Sequence, residues 1–85
     1  MIVLLAAKSF YKDLQALQAQ DQKRVKQKLR EIITYTNPLQ KAKKLLGYKD
    51  IYRFRSGDFR IVFQYSENSM TLLFVRHRKE IYRHL

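Results

Sequence analysis

Apolar and polar positions follow two regimes along the 85 residues. After a β-branched, apolar run at Ile2-Val3-Leu4-Leu5, which reads as a buried strand, the period becomes helical. Phe10, Leu14 and Leu17 stand at i, i+4 and i+7, the stripe of a short amphipathic helix with Ser9 as its expected N-cap. Asp21 is read as the cap of a second, longer helix. Its apolar face is Val25, Leu29, Ile32 and Ile33; its wet face carries Lys23, Arg24, Lys26, Lys28 and Arg30. Asn37-Pro38 closes it, because proline disfavours helical geometry in the residue before it.

From Lys41 the period shortens. Lys43 to Tyr48 is either a short strand or an irregular approach. Residues 51–55 and 59–65 alternate as the strands of a hairpin, joined through Ser56-Gly57-Asp58. Glu67-Asn68-Ser69 is a turn, and residues 70–76 form a strand that is apolar on both faces, as a central strand is. Residues 79–85 form a short terminal segment, at most one helical turn. The order is β-α-α-β-β-β in a single domain over 1–85. It predicts an α+β fold with two helices on one face of a small, mostly antiparallel sheet.

The hairpin register follows from the cost of burying charge. If Arg55 pairs with Arg60, and Arg53 with Val62, then Tyr52, Phe54, Ile61 and Phe63 share the helix-covered face. Arg53, Arg55, Arg60 and Gln64 then share the open one. Pairing Arg55 with Phe59 instead would force Arg60 into the core, at a cost of several kcal/mol, on the order of 3–5, for an uncompensated buried charge.

Charge turns this geometry into an expectation about partners. Lys and Arg number 18 against 7 acids, for a net +11. The cations are spread over both halves, so the charge belongs to the folded domain and favours a polyanionic partner. The absence of cysteine excludes a disulfide framework, a thiol nucleophile and Cys-ligated zinc. Two histidines, His77 and His84, are too few for a metal site, and no phosphate-binding loop or Ser/His/Asp set is present. Neither metal nor cofactor is expected. The run Ile2 to Ala7 is too short to span a membrane and lacks the basic start of a signal peptide, so a cytoplasmic protein is expected.

Arg53, Arg55 and Arg60, with Arg78 from the next strand, form a candidate phosphate cradle, since guanidinium groups offer paired donors that match phosphate oxygens. The bland reading is a solvated basic face. Tyr82 either stacks on a base or packs against the sheet edge. His77 can move a proton near neutral pH, although a lone histidine at a strand end is more often structural. Glu80 is read as solvated, and the basic helix as a wet face in loose contact with RNA or ribosome.

The segment from Tyr52 to Phe63 (YRFRSGDFRIVF), the β-α-α start and the ending His77-Arg78-Lys79-Glu80-Ile81-Tyr82-Arg83 resemble the RelE/ParE superfamily of bacterial toxin–antitoxin toxins over nearly the whole chain. The RelE branch implies a ribosome-dependent endoribonuclease that cuts mRNA in the A site by 2′-hydroxyl attack, leaving a 2′,3′-cyclic phosphate. It also implies an inhibitory antitoxin that covers the basic face in a toxin–antitoxin hetero-oligomer. By that resemblance Arg53 and Arg55 fall on catalytic or phosphate-contacting lysines. Arg60 falls on an arginine that stabilises phosphorane charge, Arg78 on a general acid, and Tyr82 on a tyrosine that orients or stacks on the substrate. The Arg78–Tyr82 spacing is shorter than in the RelE enzyme. Arginine, unlike lysine, does not give up its proton in a protein, so a neutral-lysine base is missing at positions 53 and 55. The base is then Tyr82, with a pKa lowered by guanidinium neighbours, or His77, or the ribosome supplies the positioning. The alternatives are a ParE-like gyrase poison and a non-catalytic RNA- or ribosome-binding domain of the same fold.

Overall fold

The computed structural model describes residues 3–77. Arg78, Glu80 and Tyr82, and the terminal segment to which they belong, lie outside the described residues. Strand β1 (Val3–Ala6) leads into helix α1 (Lys8–Ala16) and helix α2 (Ala19–Ile32). A 3-10 turn at Pro38–Lys41 then precedes β2 (Lys43–Lys44), β3 (Ile51–Ser56), β4 (Phe59–Ser66) and β5 (Ser69–His77). The five strands form one sheet in the order β1-β5-β4-β3-β2. β1 runs parallel to β5, and every other pairing is antiparallel. Among the described residues no helix is long and apolar enough to cross a membrane.

The hairpin takes the expected register: Arg55 opposes Arg60, Arg53 opposes Val62, and Phe54 opposes Ile61. Pairing continues one step further, to Ser56 and Phe59, which leaves Gly57-Asp58 as a two-residue turn. Gly57 has φ +59°, the left-handed conformation that primed hairpin turns require at their first central position. Phe54, Ile61 and Phe63 consequently point at the helices and pack with Phe10, Val25, Ile32, Met70, Leu72 and Val75 in the main core. β5 is interior, as its two apolar faces suggest. A bulge between Val62 and Phe63 of β4 admits Leu73 as an extra residue of β5. Leu73 joins Leu45, Ile51, Val62 and Phe74 in a smaller cluster, in which Val62 is buried. Register places Ile51 and Val62 on the same face as the arginines, so that face is cationic at one end and apolar further along.

Several local expectations are corrected. The N-terminal run is a strand, but not a buried one: Val3 and Leu5 are 57% and 53% exposed. β1 is an edge strand with one neighbour, and pairing of Leu5 with Thr71 turns Val3 and Leu5 to the face the helices leave uncovered. Asp21 lies in the first turn of α2, where its charge suits the helix dipole, while Gln18 occupies the cap position. α2 stops at Ile32, short of Asn37-Pro38, and Ile33 is half exposed as its C-cap. Asn37 instead caps the 3-10 turn by accepting a hydrogen bond from the Leu39 amide.

Ser9 does not cap α1 either; the cap position is Ala7, with no side-chain bond. The Ser9 hydroxyl donates to the Leu73 carbonyl at 2.6 Å. One turn on, Asp13 Oδ2 accepts from the Val75 amide at 3.3 Å and from Arg76 Nε at 3.0 Å. β1 pairs with β5 only as far as Leu72, so the β5 edge beyond it would lack partners. Ser9 and Asp13, four residues apart on one helix face, supply them. Asp13→Ala is therefore expected to cost about 1–3 kcal/mol, the cost of stranding a buried amide. Asp13→Asn, which keeps an acceptor oxygen, should cost less. Urea unfolding midpoints of the two variants check this; equal midpoints would show that the amide contact contributes nothing.

Candidate functional site

Two rungs of the sheet bring the cations together. The first crosses Lys43 of β2, Arg53 of β3 and Val62 of β4. The second crosses Arg55, Arg60 and Arg76 on β3, β4 and β5. Alternation puts all of these side chains on the face opposite Phe54 and Phe63. Lys41, Lys43, Arg53, Arg55 and Arg60 line one cleft of about 160 Å³. A drug-sized ligand needs about 300–1,000 Å³, so this cleft suits a group the size of a phosphate.

Among the described residues, no acid lines the cleft. Arg55 and Arg60 are directly opposed like charges, an arrangement that weakens an antiparallel pair unless something else compensates. Arg53 and Arg60 are half-buried, which strengthens both their mutual repulsion and their attraction for an anion; Arg55 is exposed. Arg76, at the end of the second rung, differs: its guanidinium is held by Asp13 and lies 5.5 Å from the centre of the Phe74 ring. Lys41 Nζ sits 5.0 Å from the centre of the Tyr35 ring, a cation–π contact that fixes its direction.

Of the residues singled out in the sequence, the structure brings Arg53, Arg55 and Arg60 into one cleft. His77 is placed elsewhere. It opposes Phe59, on the helix-covered side, with the two rings edge to face at 5.8 Å. There it lines a different hollow, together with Asp13, Leu17, Phe59 and Arg76. Arg78 and Tyr82 lie outside the described residues. Lys41 and Lys43 were not singled out. No periodic signal marks them: residues 44–50 separate Lys43 from β3, and its place follows from pairing with Arg53. Among the described residues, no three His, Cys, Asp or Glu side chains are grouped as metal ligands.

Comparison with known proteins identifies the family and the fold. The family described as the ParE toxin of the type II toxin–antitoxin system parDE matches residues 4–82. Toxin RelE3 of Methanocaldococcus jannaschii is 35% identical over 83 residues, which span 93% of each chain. The RelB–RelE antitoxin–toxin complex of Methanococcus jannaschii superposes with a TM-score of 0.77 at 32% identity, covering 95% of this chain and 98% of that one. The RelE–RelB complex of Pyrococcus horikoshii OT3 gives 0.68 at 26% identity, with 91% and 94% covered. The chain belongs to the RelE/ParE superfamily of type II toxin–antitoxin toxins.

Proposed function

We propose that this toxin is a ribosome-dependent endoribonuclease that cuts mRNA, and that a cognate antitoxin restrains it by covering the basic face. The observation that carries the reading is a phosphate-sized cleft lined, among the described residues, by five cations and no acid, with two arginines opposed across the hairpin. The ribose 2′-oxygen attacks the adjacent phosphorus, the P–O5′ bond breaks, and a 2′,3′-cyclic phosphate and a free 5′-hydroxyl result. Arg53, Arg55 and Arg60 neutralise the charge that grows on the phosphorane oxygens, where preorganised donors act most strongly. They stay protonated, so the 2′-hydroxyl proton goes to a group that can titrate. On this chain Tyr82 is the candidate for that role, and the ribosome is the alternative source of positioning. Arg78 is assigned to the leaving-group side. The solved relatives are complexes with RelB, which supports an antitoxin as partner.

A second reading, inhibition of DNA gyrase through protein contact, is favoured by the ParE description of the matching family. Cell-free translation separates the two. Ribosome-dependent mRNA fragments ending in 2′,3′-cyclic phosphate are expected. Intact mRNA beside gyrase-linked DNA breaks would overturn the first reading in favour of the second. Intact mRNA and intact DNA, with RNA binding that weakens steeply with salt, would identify a non-catalytic RNA-binding domain.

A further inference from the structure

A second basic groove lies at the hairpin tip, where the turn approaches α2. Arg24, Gln27, Lys28, Glu31, Arg55, Ser56 and Gly57 line it, and its volume of about 380 Å³ is large enough for a nucleotide. Arg24, Gln27, Lys28 and Glu31 are spaced i, i+3, i+4 and i+7, so they form one stripe of α2. The guanidinium of Arg24 sits against the turn: its Nη1 is 3.7 Å from where a β-carbon on Gly57 would be. Gly57 serves the left-handed turn, and Arg24 lies within van der Waals distance of it. At the far end Glu31 stands 3.7 Å from Lys28. Seven residues at 1.5 Å each separate it from Arg24 by about 10 Å, so Arg24 lies towards the turn and Lys28 sits between it and the acid at the other end.

Among the described residues, Arg55 is the one that lines both this groove and the arginine cleft. It stands on the rim between them, and an anionic chain leaving the cleft past Arg55 meets Arg24 and Lys28 next. A solvated helix face would not need to converge on the hairpin turn in this way.

We propose that the groove between α2 and the β3–β4 turn is a second seat for the same RNA strand, holding the backbone next to the phosphate in the cleft by contacts to Arg55, Arg24 and Lys28. The inference rests on the RNA reading of the cleft. Single-stranded RNA is the occupant because the two grooves are joined through one arginine, which suits a continuous flexible polyanion.

The test uses 2′-O-methyl oligoribonucleotides, which cannot be cut by 2′-attack, and reads binding by fluorescence anisotropy over a range of salt. A dinucleotide fills the cleft, and an octanucleotide reaches the groove. Arg24→Gln with Lys28→Gln, both on the surface of α2, should weaken the octanucleotide about tenfold. The salt slope should fall by about 0.7 for each lost phosphate contact. Dinucleotide binding should not change. An octanucleotide that binds the double variant as tightly as the wild type overturns the proposal. Equal weakening of both probes also overturns it, because a distant field rather than a seat would then be acting. Arg60→Ala is the separate arm. If it leaves dinucleotide binding intact, the reading of the cleft fails, while the response of the octanucleotide to Arg24→Gln and Lys28→Gln still decides the groove.

Discussion

Arg60→Ala is expected to lower mRNA cleavage by about 10²–10³-fold, the loss typical when one preorganised donor to a developing oxyanion is removed. Arg60 stands on the middle strand of the sheet, between Arg55 on one side and Arg76 on the other. It is half-buried, and one of its guanidinium nitrogens, Nη1, is wholly enclosed. Its position is therefore set by the fold before substrate arrives, whereas the exposed Arg55 must be ordered on binding. Arg60→Lys restores the charge but not the planar fork, so it should recover only part of the rate. The measurement is the rate of fragment appearance at saturating ribosomes, with melting temperature as the control. Cleavage by Arg60→Ala at the wild-type rate would remove this residue from the chemistry.

That expectation was available from the sequence because one energetic fact decided the register. A charged Arg60 could not share a face with Phe54 and Phe63, and the observed pairing of Arg55 with Arg60 follows. The core on that side was legible for the same reason: alternation at period two names Phe54, Ile61 and Phe63 without any knowledge of the partners. What was not legible depended on contacts distant in the chain. A two-residue strand such as Lys43–Lys44 has no period to detect, and Lys43 enters the cleft only by pairing with Arg53. The exposure of Val3 and Leu5 depends on β1 being an edge, which is a property of topology and not of the apolar run itself. Ser9 looks like a helix cap by type, yet its hydroxyl is needed 64 residues away, at Leu73. His77 lies one residue beyond Arg76, and strand alternation sends it to the other face of the sheet.

The second large effect concerns stability. Phe54→Ala is expected to destabilise the domain by about 3–5 kcal/mol, since it empties a fully packed aromatic site. Phe54 is 1% exposed, and its ring stacks on Phe63 at 4.7 Å between centroids with planes 12° apart. Tyr35 meets Phe54 edge to face at 6.4 Å, and Tyr52 stacks on Phe63 at 5.8 Å, so one truncation removes support from a run of four rings. At about 4–8 °C per kcal/mol for a domain of this size, the melting temperature should fall by on the order of 12–40 °C. A domain of this length has only about 4–13 kcal/mol of stability in all, so the variant should lie near the edge of folding. Arg55→Ala is the informative contrast. It changes the adjacent residue of the same strand, on the opposite face, and removes a like charge from opposite Arg60, so it should leave the melting temperature unchanged or raise it while weakening RNA binding. The two variants together ask whether β3 divides its work by face, with alternate residues holding the fold and the residues between them holding the anion. A Phe54→Ala protein that melts within a few degrees of wild type would show that the stacked rings contribute little. An Arg55→Ala protein that loses as much stability as Phe54→Ala would show that the arginine face is part of the core's support, and the division by face would fall.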